Sequence, residues 1–236
     1  MKEGVYLFYG IDVSKYQGDI NWAEVKNAGK VFAIIRAGYG RFADQKDPYF
    51  DINYAGCTEN DIAVGAYQYS YARTIAEAEQ EAEVFLDWIS GKRLAYPVYI
   101  DVENESLRDV GRELLTDAVL AWCNKISAAG YYTGIYSNPN FFTNYLDLDR
   151  LTAFDKWLAN WAETPVWGNE FGGLWQYSST GSVEGIESDV SLDYSYRDYP
   201  SIIRAQGLNG FPSVPRTLPI TLTLDGVSYS GTVTQT

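Results

Sequence analysis

Four acidic residues stand at or near the ends of short β-rich runs. Asp101 and Glu103 lie two apart in YPVYIDVE (96–103), Asp12 falls late in YGIDVS (9–14), and Asp193 falls late in DVSLDY (189–194). Strand side chains alternate faces, so Asp101 and Glu103 share one, with Cα atoms about 6.5 Å apart. Carboxyls crowded into one place cannot all ionise. One stays protonated while others stay charged, which is the acid and base pairing that glycoside hydrolysis uses. The same oxygen donors would suit Mg²⁺ or Ca²⁺, a competing use. The chain has no histidine, which excludes Ser-His-Asp and Cys-His machinery and His-ligated zinc. Its two cysteines, Cys57 and Cys123, are too few for a four-thiolate site. They fall on different expected helices and are read as buried free thiols. No metal and no cofactor is expected.

Those acids need a scaffold that delivers strand ends to one place. Apolar runs at 9–14, 31–38, 63–71, 96–103, 132–137, 156–161, 173–178 and 189–194 alternate with helical patterns. Asn21, with Glu24 three residues on, is a capping-box-like start for a helix that Gly29 ends. Thr74 and Glu77 repeat the device, and Ile75, Ala78, Ala82, Phe85, Leu86 and Ile89 then share one face before Gly91. Leu115, Val119, Trp122, Ile126 and Ala129 do the same before Gly130. Residues 138–151 and 163–171 lack a regular helical period. Alternating strands and helices predict parallel pairing, and eight units in about 200 residues predict an irregular eight-stranded, TIM-like β/α barrel. An open doubly wound sheet is the alternative, but no G-x-G-x-x-G turn follows a strand. In a closed barrel the first and last strands are neighbours. Asp12 and Asp193 would then meet across the seam, with Asp101 and Glu103 facing them.

The tail breaks this rhythm. Residues 208–219 (LNGFPSVPRTLP) are rich in turn formers, and 220–233 (ITLTLDGVSYSGTV) alternates around Asp225-Gly226, a hairpin signal. The organisation read from the chain is a catalytic barrel over 1–207 and a linker with a short C-terminal β-hairpin over 208–236. A net charge of −13 repels phosphate backbones, so no nucleic-acid partner is expected. No apolar run is long enough to span a bilayer, and the opening MKEG lacks the layout of a secretory signal, so a soluble protein with no membrane contact is expected; it is also expected to be a monomer. Aromatic residues make up 16% of the chain, enough for some to line a groove for sugar rings beyond those a core consumes.

The blocks GIDVSKYQGDINW (10–22), FAIIRAGYG (32–40), VGAYQYSYA (64–72), YPVYIDVE (96–103), GIYSN (134–138) and LWQYSSTGSVEGI (174–186) resemble glycoside hydrolase family 25, the cell-wall lysozymes (N-acetylmuramidases) of bacteria and their phages. The likeness runs in order over 9–199. It implies an irregular, partly open β/α barrel and cleavage of the β-1,4 bond from N-acetylmuramic acid to N-acetylglucosamine in peptidoglycan glycan strands. It implies Glu103 as general acid/base, Asp101 as the group that orients and polarises the substrate's 2-acetamido group, and Asp12 as a further acid. Two positions depart from the family pattern. Gln68 stands where a His is common. The pattern V-D-L-N reads Val190-Ser191-Leu192-Asp193, so the final acid of the family falls on Ser191. Asp189 and Asp193 share its face by period two, and Asp193 is read as a partial substitute.

The mechanism expected from these residues is retaining. Glu103 donates to the leaving oxygen, the acetamido oxygen attacks C1 with help from Asp101, and water activated by Glu103 opens the oxazolinium. Inversion with Asp12 or Asp193 as base is the alternative. Tyr67, Tyr136, Trp161 and Trp175 are expected as sugar-stacking platforms, and Arg36 and Gln176 as hydrogen-bonding groups. One aromatic of each pair in KWLANW and GLWQYS is expected in the core, and Arg36 has the alternative role of neutralising Asp12. A non-catalytic glycan-binding module, suggested by Ser191, and a metal-dependent hydrolase are the rival functions. The substrate places the working protein outside the cell or at the wall, or in a host cytoplasm before release if it is a phage endolysin.

Overall fold

The computed structural model describes residues 7–213 and 217–234; the opening MKEG and residues 214–216 of the expected linker lie outside the described residues. Eight strands close into one barrel in sequence order: β1 (Phe8–Val13), β2 (Phe32–Tyr39), β3 (Ala63–Tyr69), β4 (Val98–Asp101), β5 (Thr133–Ser137), β6 (Asp155–Ala159), β7 (Leu174–Gly181) and β8 (Val190–Ser195). Each coincides with one of the runs read from the sequence. Six neighbouring pairs, β1 with β2 through β6 with β7, are parallel as expected.

The last strand corrects the expectation of parallel pairing throughout, because β8 runs antiparallel to both β7 and β1. Residues 182–189 are too few for the crossover that a parallel return requires, so the chain turns back as a hairpin. That reversal sets the register at the seam: Asp12 pairs with Ser191, and Gly10 with Asp193. In an antiparallel strand the residue two positions on lies deeper, not higher.

Helices α1 (Trp22–Asn27), α2 (Phe50–Glu59), α3 (Ile75–Ile89), α4 (Arg112–Ala128) and α5 (Pro139–Asn144) connect the strands. Asn21 and Thr74 cap α1 and α3, accepting from the backbone N–H of Glu24 and Glu77. The stretch 138–151 holds only α5 and one further helical turn, and 163–171 forms no helix. The helix expected around Cys57, without a start or stop signal in the sequence, is α2, which has no side-chain cap and buries Phe50, Asn53 and Cys57. Cys57 and Cys123 are free and buried. No helix among the described residues is long and apolar enough to cross a membrane.

Large rings facing glycines across neighbouring strands fill the barrel interior. A Cβ on Gly10 would stand 2.4 Å from the Phe32 ring, and one on Gly134 would stand 2.3 Å from Tyr99. The floor is closed by α6 (Tyr199–Gln206), whose Tyr199 and Ile203 join Phe32, Tyr96 and Tyr99 in one cluster. The Tyr199 hydroxyl donates to Asp155, which also pairs with Arg197. The floor continues past residue 207. The buried Asn209 side chain donates to the carbonyls of Leu94 and Tyr96 and accepts from Tyr132 N–H, while Leu208 and Phe211 pack beneath.

In the tail, β9 (Thr217–Leu224) and β10 (Val227–Thr234) form the expected hairpin. Its turn places both Asp225 and Gly226 at positive φ, the combination a two-residue type I′ turn requires. Cross-strand pairing puts Ile220, Leu222, Leu224, Val227 and Tyr229 on one exposed face.

Interlocking of rings with glycines makes the interior intolerant of added volume. Gly134→Ala should lower folding stability by about 1–3 kcal/mol, read as a reduced midpoint in urea denaturation.

Candidate active site

The C-terminal ends of the parallel strands surround a cavity of about 330 Å³. Asp12 arrives from β1, Arg36 from β2, Tyr67 and Tyr69 from β3, Asp101 from the end of β4, and Glu103 two residues beyond it. Ser191, at the start of β8, completes the ring opposite Asp12.

Gln176 is the hub of the polar network. Its amide donates to Asp12 Oδ2 at 2.7 Å, and its Oε1 accepts from the Tyr136 hydroxyl at 3.2 Å and the Trp161 indole at 3.0 Å. One amide thus fixes an acid, a buried tyrosine and an exposed indole together. Trp161 is 63% exposed at the rim, while Tyr67, Tyr136 and Trp157 pack edge to face as the cavity floor.

Arg36 does not neutralise Asp12. Its Nε and Nη2 both donate to Asp47 Oδ2, at 2.8 and 2.7 Å. Asp47 in turn accepts from the backbone N–H groups of Lys15 and Tyr49. The Tyr16 ring lies 5.0 Å from the guanidinium and is itself 71% exposed, forming a second aromatic edge of the mouth.

Charge governs the acids. Burial, followed by the charge of Asp12, pushes the Glu103 carboxyl up to about 7. Burial pushes Asp12 up to about 6, opposed by its hydrogen bond from Gln176. Asp101 is held well above the usual carboxylate range by burial and by the charges of Glu103 and Asp12, with Arg36 opposing. Its Oδ1 meets no donor among the described residues. Around neutral pH, the site therefore holds protonated and ionised carboxyls side by side.

Two expected site residues lie elsewhere. Trp175 points out of the barrel, stacks near Tyr177 and Tyr194, and donates its indole N–H to the Asn160 carbonyl. It shares a strand with Gln176, and alternation sends only one of the two inward. Asp193 faces inward but lies below Asp12, fully buried, where it accepts from the Trp157 indole at 2.7 Å and does not line the cavity. Asp189 is exposed and outside the cavity lining; its carbonyl accepts from Gln17. No group of three acidic or thiol side chains is placed to hold a metal ion among the described residues.

Tyr16, Gln17, Tyr69, Trp157 and Ser179 line the cavity without having been singled out in the sequence, and Asp47 supports it. Tyr16 and Gln17 sat in view in the opening block DVSKYQ. Nothing in the sequence signalled Asp47, which lies in a loop eleven residues after the arginine it holds. Gln68 faces the helices rather than the cavity: its amide donates to the carbonyls of Gly40 and Glu81 and its Oε1 accepts from Trp122. Nearby, Glu81 of α3 accepts from Ser70 Oγ and Tyr71 N–H, and burial raises it to about 7. This holds the chain leaving β3, and with it the wall formed by Tyr69.

Comparison with known proteins follows the same outline. Residues 11–186 match the model of glycosyl hydrolases family 25. The chain is 30% identical over 197 residues to Lysozyme M1 of Streptomyces globisporus, covering 77% of this chain and 65% of that protein. It therefore spans slightly less than two thirds of that relative's length. Among solved structures, it matches the bacterial lysozyme from Streptomyces coelicolor with a TM-score of 0.73 at 26% identity, covering 83% of this chain and 95% of that one. It matches the CTP1L endolysin with a TM-score of 0.72 at 26% identity, covering 84% and 70%.

The raised acids tie folding to pH. Glu103 titrates near 4.5 when free and near 7 when folded. The native state thus binds a proton the unfolded chain releases, and stability falls as pH rises through that window. Glu103→Gln should be more stable than the parent protein by about 3 kcal/mol at about pH 8, with the difference vanishing at about pH 4, in urea denaturation at both pH values.

Proposed function

Because the chain belongs to glycosyl hydrolases family 25, we propose that it is a muramidase: it hydrolyses the β-1,4 bond between N-acetylmuramic acid and N-acetylglucosamine in peptidoglycan strands, acting at the bacterial cell wall. The observation that carries this reading is the convergence of Glu103, Asp101 and Asp12 in one open cavity, with Glu103 raised to about 7. A carboxyl titrating there is protonated often enough to act as an acid and ionised easily enough to act as a base.

In the proposed reaction Glu103 gives its proton to the glycosidic oxygen as the bond at C1 breaks. The 2-acetamido oxygen of the muramic acid closes on C1 from the other face. Asp101, whose Oδ1 meets no donor among the described residues, accepts the acetamido N–H and so orients the acetamido oxygen toward C1. Asp12, ionised and fixed by Gln176, supplies negative charge beside the positive charge that develops at this centre. Glu103 then takes a proton from water, which opens the oxazolinium with net retention. Tyr16 and Trp161 are the exposed ring faces on which sugars stack, and Tyr67 and Tyr136 shape the floor.

Inversion would need a carboxylate base on the opposite face of the sugar. Asp193 is sealed under the floor, which leaves Asp12 as the only candidate among those named. Proton NMR of the first-formed product separates the routes: the β-anomer is expected, and an initial α-anomer overturns retention. A binding module that does not cut is the second reading, favoured by Ser191 opposite Asp12.

Clearing of a Gram-positive cell-wall suspension tests catalysis directly. Glu103→Gln should slow clearing by about 10²–10⁴-fold, and equal rates in parent and variant would remove Glu103 from the mechanism. The reaction needs Glu103 protonated and Asp12 ionised. The pH profile of kcat/KM should therefore be a narrow bell, falling below about 6 as Asp12 takes up a proton and above about 7 as Glu103 loses one.

A further inference from the structure

Asp193 presents an unusual arrangement. Asp193 is 0% exposed inside the barrel, two register positions below Asp12. Oδ1 accepts from the Trp157 indole, while Oδ2 meets no N–H or hydroxyl donor among the described residues. The next acid along the same inward face is Asp12, two positions up β1 from the Gly10 that pairs with Asp193, and the two carboxyls act on each other's titration. Two neighbouring carboxyls withdrawn from water cannot both be anions, since they would repel without water to screen them, so one must keep its proton.

We propose that Asp193 is a neutral carboxylic acid at working pH, and that its O–H donates to Asp12 from beneath as Gln176 donates from the side, so that Asp12 remains ionised in the cavity. Asp193 is then a positioning residue, acting on the reaction only through Asp12. This rests on the muramidase reading for its effect on activity, but not for its protonation state. The electrostatic surroundings agree: burial and the charge of Asp12 hold Asp193 well above the usual carboxylate range, while the hydrogen bond from Asp193 lowers Asp12. The titratable groups facing the pair are Asp101 and Glu103 at the end of β4, Arg36 of β2, Tyr67 of β3, Tyr136 of β5, Tyr177 of β7, and Lys30 before β2. Arg36 is taken up by Asp47 and Lys30 is half-buried, so neither cation removes the need for the shared proton.

Three measurements decide it. Infrared difference spectroscopy between the parent protein and Asp193→Asn at about pH 7 should show a protonated-carboxyl C=O band present in the parent and lost in the variant. Asp193→Asn replaces the O–H by an N–H and keeps an acceptor for Trp157, so the acidic limb of the kcat/KM profile should stay near its parent position. Asp193→Ala removes the donor and should raise that limb by about one pH unit, narrowing the bell against the Glu103 limb and cutting peak kcat/KM by about tenfold. Absence of the band overturns the proposal, as does an Asp193→Asn variant that loses activity as completely as Asp193→Ala. Should Asp193→Ala fail to fold, the infrared comparison still decides. Should the protein prove inactive on cell walls, the band alone reports on Asp193, so failure of the muramidase reading stays separate.

Discussion

Negative charge withdrawn from water, with too few cations to answer it, is the constraint around which this barrel is arranged. Asp12, Asp101, Glu103 and Asp193 converge inside a single ring of strands, and Arg36 is committed to Asp47 rather than to any of them. The protein answers with neutral donors instead: an amide from Gln176, an indole from Trp157, and protons retained on the acids themselves. Retained protons are also what a glycosidase needs, so the feature that weakens the fold at high pH and the feature that supplies its acid are the same.

Closure of the ring determines which acids take part. The hairpin return after β7 reverses β8 and brings Ser191, not a carboxylate, to the level of Asp12. A parallel final strand would have carried Asp193 toward the mouth and Ser191 below it. Strand direction at a single seam thus decides whether an acid meets solvent and substrate or meets only another carboxyl.

Much of this was legible in the chain. The eight apolar runs, the caps at Asn21 and Thr74, and the Asp225-Gly226 turn are local signals, and the structure follows them. The direction of β8 was also open to reading, since residues 182–189 cannot hold a crossover, but the repetitive alternation earlier in the chain argued for continuing it. The bounds of α2 were not legible because it lacks a side-chain cap and packs through Phe50, Asn53 and Cys57, a stripe interrupted by a polar residue. In the site, Asp101 and Glu103 were readable from period two, and Trp175 was misplaced although the same rule sends it opposite to Gln176. Asp47 and Trp157 were not readable, because their parts depend on long-range contacts: a loop folding back onto Arg36, and an indole crossing the barrel interior to Asp193.

The tether between Trp161 and Gln176 has an optical consequence. Of seven tryptophans, two line the cavity, and Trp157 is sealed into the floor, which leaves Trp161 as the solvent-facing indole there. A glycan ring lying against it would replace water on the fluorophore while its N–H stayed fixed. Its emission should move to shorter wavelength as saccharide binds, giving the molecule an intrinsic gauge of occupancy without any attached dye.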